Sequence, residues 1–281
     1  MIYNPRYAEK GPIKMLFIGI VYASLSLLLV HWFFSSDPEL SKASGMIVVT
    51  FCVMFSILFM YFLIRQEERE DEQVEGFFGV WKAHSDAIYA FMWLFLGFII
   101  AFSFWYIILQ DSNLLNFQLN TYCRINSPGN VEGCVESYGF PRESITGNMT
   151  NTSRFLAILQ NNVYVMIFTL IFSLIFGAGA IFVLAWNASV IAAAIGVFTQ
   201  YNIKDIPLGI ARYMIHGFPE IAAYFVTALA GGIFGVGILR NGIKSKKIIR
   251  VFENAIILLF IALVILILAA LMEVYLTPLL F

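Results

Sequence analysis

At 281 residues, 60% of them hydrophobic and only 12% charged, with a mean hydropathy of +0.82, the chain is not a water-soluble globular domain; such a domain carries about a quarter charged residues. A net charge of −1 argues against a general attraction to nucleic acid. The composition is that of an all-α, polytopic integral membrane protein in contact with the lipid bilayer.

A bilayer span needs about 20 apolar residues. The first such run, 13–34, has no small-residue cleavage site after it and reads as a full span rather than a removable signal. The second is 45–64. It is followed at 65–86 by a segment bearing Glu67, Glu68, Glu70, Asp71, Glu72 and Glu75. That segment is expected to extend the second helix and turn, with Val74, Phe77, Phe78 and Trp81 forming a short amphipathic helix on the inner surface. Its acidic side offers a docking surface for a protein partner. The third span is 87–109, which closes an N-terminal unit of three helices over 1–109.

The loop 110–160 is polar and long enough to expect function or structure of its own. Cys123 and Cys134 lie in it without a histidine, so an external position would favour a disulfide over a metal site. Asn148-Met149-Thr150 and Asn151-Thr152-Ser153 match the glycosylation pattern and agree with that position, while Asn187-Ala188-Ser189 matches it at the inner face. Cys52 sits in an apolar run and reads as a core residue.

The second half, 161–281, holds the runs 163–186, 188–201, 208–239 and 255–276. The fifth is short, a thin span or a re-entrant half-helix. The sixth is over-long and is expected to break at Gly217 and Pro219, as in the discontinuous helices of transporters. Lys and Arg concentrate on one set of loops, most of all at Arg240, Lys244, Lys246, Lys247 and Arg250. This bias places the N-terminus in the cytoplasm and the C-terminus outside, in a multi-pass protein of the cell membrane.

Within the sixth run, Arg212, His216 and Glu220 recur every four residues and form one polar stripe on a helix. Ionisable groups in a bilayer are costly and mark a functional site by default. The competing reading is a structural network, in which Glu220 is satisfied by Arg212 or His216 and Arg212 reaches the outer interface. Asn161, Asn162 and Asn187 can bond across helices or cap helix ends, and Glu273 near the end of the last span can join the group. Gly231 and Gly235 fit the small-xxx-small spacing of close helix packing, available to a neighbouring helix or to a second copy of the chain.

Asn161-Asn162, Gly177-Ala178-Gly179, Asn187, His216-Gly217-Phe218-Pro219-Glu220 and Gly231-Gly232, in that order, resemble the stage II sporulation protein M family over roughly 154–276. The resemblance implies an integral membrane core. In its best-known setting, engulfment during bacterial sporulation, such a protein anchors and recruits peptidoglycan hydrolases. Similar proteins occur in organisms that never sporulate, so the resemblance implies the membrane core rather than that role, and it supports reading the chain as a scaffold that organises partners at the membrane.

The alternative is a transporter or channel-like component that binds an ion or small solute at the sixth segment. An enzyme is not expected. The three histidines, His31, His84 and His216, form no metal-ligand motif, and nothing marks Ser173 or Ser189 as a nucleophile for His216. No cofactor or metal is expected.

Overall fold

The computed structural model describes residues 12–71, 74, 76–111, 113–126, 129–137, 151–176, 181–242 and 245–280. The described residues are mostly helical, with short turns between the helices and without a strand. Apolar runs in a bilayer must satisfy their backbone internally, and a helix does so within one segment. Seven helices are long and apolar enough to cross a membrane.

In chain order these are α1 (Pro12–Phe34), α2 (Ser44–Asp71) and α3 (Phe77–Leu109), then two short helices, α4 (Asn116–Asn126) and α5 (Val131–Ser137). Next come α6 (Asn151–Phe176), α7 (Ile181–Phe198), α8 (Ile206–Asn241) and α9 (Lys246–Leu271). A π turn, Met272–Leu276, joins α9 to the short α10 (Thr277–Leu280).

Local chemistry sets several helix starts. Pro207 occupies the first turn of α8, where a missing N–H costs nothing. The Ser245 hydroxyl caps α9 by accepting from the Lys247 N–H at 3.3 Å.

Helix α8 is the centre of the bundle and packs against α2, α3, α6, α7 and α9. Helix α3 is the second hub and carries α1 and α7. The two hubs meet through aromatic rings, with Phe225 stacked on Phe91 at 5.0 Å and edge-on to Phe95 at 6.1 Å. Helix α6 is the most lipid-exposed span and touches α8 along the two glycines that the sequence singled out. A Cβ at Gly231 would stand 2.8 Å from the Leu170 carbonyl oxygen, and one at Gly235 would stand 2.4 Å from that of Leu174. Only glycine permits so close an approach.

Four sequence expectations change. The sixth segment does not break: α8 runs 36 residues straight through Gly217 and Pro219, about 54 Å at 1.5 Å per residue. Losing the one hydrogen bond to the Ile215 carbonyl is tolerable in a helix held by neighbours along its length.

The fifth segment is a helix of span length that begins at Ile181, so it takes residues 181–186 away from the fourth. The fourth begins at Asn151 rather than at 163, because polar 151–160 is simply its N-terminal end. There is no separate amphipathic helix after the acidic segment; Phe77, Phe78 and Trp81 lie on the first two turns of α3. Glu72, Glu75, Asn148, Lys244 and Gly177-Ala178-Gly179 lie outside the described residues.

The expected long loop is partly folded. Helix α4 lies against α7 and α2: the Asn116 amide donates to the Lys42 carbonyl at 2.7 Å and Gln118 to the Gly45 carbonyl at 2.9 Å. Cys123 and Cys134, with Cα atoms 5.7 Å apart, join α4 to α5 and form with Leu119 a small apolar cluster of its own. Asp111, just after α3, accepts from Ser35 at 3.0 Å and faces His31 Nδ1 at 3.3 Å, which ties the same end of α1 to α3.

Candidate functional site

The polar stripe of α8 exists, but its three members take separate partners, on α7, on α10 and on α8 itself. The Arg212 guanidinium lies 4.7 Å from the centre of the Phe198 ring on α7, a cation–π contact. His216 Nδ1 is 3.2 Å from Thr277 Oγ1. Thr277 gives its single hydroxyl proton to the Met272 carbonyl at 3.2 Å, so it accepts from His216 and places the imidazole proton on Nδ1.

Glu220 accepts from the Tyr224 hydroxyl at 2.8 Å. The expected pairing of Glu220 with Arg212 or His216 is thus replaced by one with Tyr224. That residue is one turn further along the same face, and its buried phenol itself needs a partner.

Around Glu220 the bundle assembles a site from three elements. Helix α6 brings Asn161 and Asn162. The Asn161 amide donates to Asn162 Oδ1 at 3.3 Å, and Asn162, only 4% exposed, lies beside Glu220. Its Nδ2 nevertheless makes no well-formed hydrogen bond. The π turn packs on both α6 and α8 and carries Glu273, an electrostatic neighbour of Glu220 and Tyr224. Arg154, in the first turn of α6, is the neighbouring cation of Glu273 and His216. π turns inside helices are frequent at functional sites, and this one sets the angle at which Glu273 meets α8.

Asn187 does not join this group. Its amide donates to the Val183 carbonyl one turn back at 2.7 Å, so it neither caps a helix nor bridges two. Ser173 and Ser189 give their hydroxyl protons to the carbonyls of Ala228 and Trp186, at 2.5 and 2.7 Å, rather than to His216. Among the described residues no group of three His, Cys, Asp or Glu is placed to hold a metal ion.

A second polar site lies at the opposite end of the bundle, where sequence reasoning expected a solvated acidic face. Glu67, Glu68 and Asp71 on α2 are buried, as is His84 on α3. Glu67 and Asp71 are four residues apart and share a helix face. His84 sits between them, with Nδ1 2.7 Å from Glu67 Oε2 and Nε2 2.9 Å from Asp71 Oδ1. Two carboxylates on the two ring nitrogens are both satisfied by an imidazolium that donates on each side.

Glu68 faces the other way and pairs with Arg240 at the end of α8. From α9, Asn254 donates to the backbone carbonyls of Asp71 and Val74, at 3.3 and 3.1 Å. Four spans are therefore stitched together by five polar side chains and one arginine. The spacing of Glu67 and Asp71, with a histidine shortly into the next helix, was the available signal. The charge density of the segment concealed it.

This arrangement of central glycine-packed helices with a polar stripe on the sixth is what the ordered motifs implied, and comparison with known families decides the matter. Residues 46–278 match the family model of stage II sporulation protein M. The chain belongs to that family. The match reaches further toward the N-terminus than the motifs alone, taking in α2, α3 and the cysteine-bearing segment along with α6 to α9. Both polar sites fall inside it. No curated protein and no solved structure matches the chain.

Proposed function

We propose that this stage II sporulation protein M family member is a non-enzymatic scaffold of the cell membrane that organises protein partners. The observation that carries the reading is the folded cap of α4 and α5. A loop that merely joined two spans would not need one helix docked on α2 and α7 and a second tied to it by Cys123 and Cys134, and a fixed surface outside the bilayer is what a partner can recognise.

The lysine and arginine bias puts the N-terminus in the cytoplasm, the cap outside and the C-terminus outside. In that orientation Cys123 and Cys134 form a disulfide, since the compartment permits it. Alkylating the native protein without reductant should then leave both thiols unmodified. The Cys123→Ser/Cys134→Ser variant should insert normally yet run as a smaller complex on native gels of gently solubilised membranes. An unchanged complex size would count against the cap as the partner surface.

A second reading is favoured by one specific observation. The polar group of Asn162, Glu220 and Tyr224, placed where α6, α8 and the π turn meet, fits a component that binds an ion or small solute within the membrane.

A further inference from the structure

We infer that the end of the bundle where α2 turns into α3 holds the headgroups of anionic phospholipids, with Arg65, Arg69 and Lys82 facing their phosphates. The inference is independent of both readings above.

It starts from how α2 sorts its charges. Met60, Leu63, Ile64, Glu67, Glu68 and Asp71 are buried and share one face of the helix. Met54, Leu58 and Phe62 are exposed on the opposite face, and that exposed stripe continues into Arg65 and Arg69. Three acids of the segment are thus turned into the bundle, where His84 and Arg240 pair with them. The part of α2 that reads as acidic in sequence presents arginines to the lipid side.

Depth agrees with this. Helix α2 has 28 residues and is about 42 Å long at 1.5 Å per residue, whereas the hydrocarbon layer is about 30 Å thick. Its last two turns therefore stand at headgroup depth, where long cationic side chains reach phosphate. Lys82 lies on the second turn of α3 beside exposed Trp81, and Phe78, one turn earlier, is 84% exposed. Aromatic rings next to cations are the side chains of a membrane–water interface.

Charge decides the class of lipid. Helix α9, tied to the same end by Asn254, adds exposed Lys247 and Arg250. Among the described residues the exposed acids there are Glu70, Asp86 and Glu253, and Glu70 accepts from the Gln66 amide at 3.4 Å. The excess is positive, and clustered cations at a membrane surface favour anionic over zwitterionic headgroups. A protein partner arriving from water would have to reach cations seated on the lipid-facing stripe, so lipid is the occupant that the placement fits.

The test uses the purified full chain in phosphatidylcholine vesicles carrying tracer spin-labelled phosphatidylglycerol or phosphatidylcholine, read by electron spin resonance as the motionally restricted fraction. Restriction should favour phosphatidylglycerol by about twofold or more, a site preference diluted by the rest of the lipid shell. Sodium chloride at about 1 M should remove most of that preference. Arg65→Gln/Arg69→Gln/Lys82→Gln should also remove most of it. Lys42→Gln/Arg124→Gln/Lys204→Gln, which takes three exposed cations from the other end, should leave it in place.

Equal restriction of the two lipids, a preference that salt leaves intact, or equal losses in the two triple variants would overturn the inference. So would a preference abolished by inorganic phosphate at constant ionic strength, which would make free phosphate the occupant. The salt comparison uses the wild-type protein alone, so it stands even where a variant fails to insert.

Discussion

Replacing Gly97 by leucine is expected to force α1 away from α3 and to remove most of the folded protein from detergent extracts. A Cβ at Gly97 would lie 2.3 Å from the Leu16 carbonyl oxygen, and a Cβ at Gly19 would lie 2.3 Å from that of Leu94. The contact is reciprocal, and each glycine meets backbone rather than the movable end of a side chain. Neither helix can yield by changing a rotamer.

Overpacking of this kind costs about 1–3 kcal/mol where side chains can adjust, and this site belongs at the upper end or beyond. The measurement is the thermal unfolding midpoint in detergent, together with the monodisperse fraction. Gly217→Ala is the contrast. It stands in the family-like motif, but the nearest atom to its Cβ position is a flexible Ile191 methyl at 4.0 Å, and the midpoint should hold or rise.

His84→Ala should be as damaging for a different reason. It leaves Glu67 and Asp71 facing each other in a sealed space, with no donor for either. Breaking a buried charged network by deleting one member costs about 3–5 kcal/mol, and the discount that applies to surface pairs does not apply to groups this deeply covered. The triple variant Glu67→Leu/Asp71→Leu/His84→Leu removes the charges together and should recover most of the lost stability. Unfolding midpoints of the two variants decide it. A triple variant no better than His84→Ala would mean that shape, rather than charge, holds α2 to α3.

How much of this was legible follows from what each signal measures. Apolar run length reports the thickness of hydrocarbon that a segment must cross, so all seven spans were found. It does not report helix ends, so α6 was expected to start at 163 and starts at Asn151, whereas the extension of α2 past the apolar run to Asp71 was read from the segment that follows it. Gly231 and Gly235 were readable because their four-residue spacing is itself the contact geometry. Gly19 and Gly97 lie on different helices, and no local pattern pairs them.

The stripe Arg212, His216 and Glu220 was visible as a stripe, but its partners, Phe198, Thr277 and Tyr224, depend on which helices the fold brings alongside. The buried Glu67–His84–Asp71 network was missed because a run of charges is usually solvated. Only the antiparallel packing of α2 on α3, with α8 and α9 closing over it, takes these groups out of water.

The central claim is that the chain works by holding partners at its folded cap. A photo-crosslinking residue placed at the exposed Phe117 position on α4, in living cells, tests it most directly. The account predicts a discrete adduct with one and the same protein, lost when Cys123 and Cys134 are both replaced by serine. Adducts with lipid alone at Phe117, from a protein that also drives ion flux in reconstituted vesicles, would contradict it and make the polar group around Glu220 the seat of function.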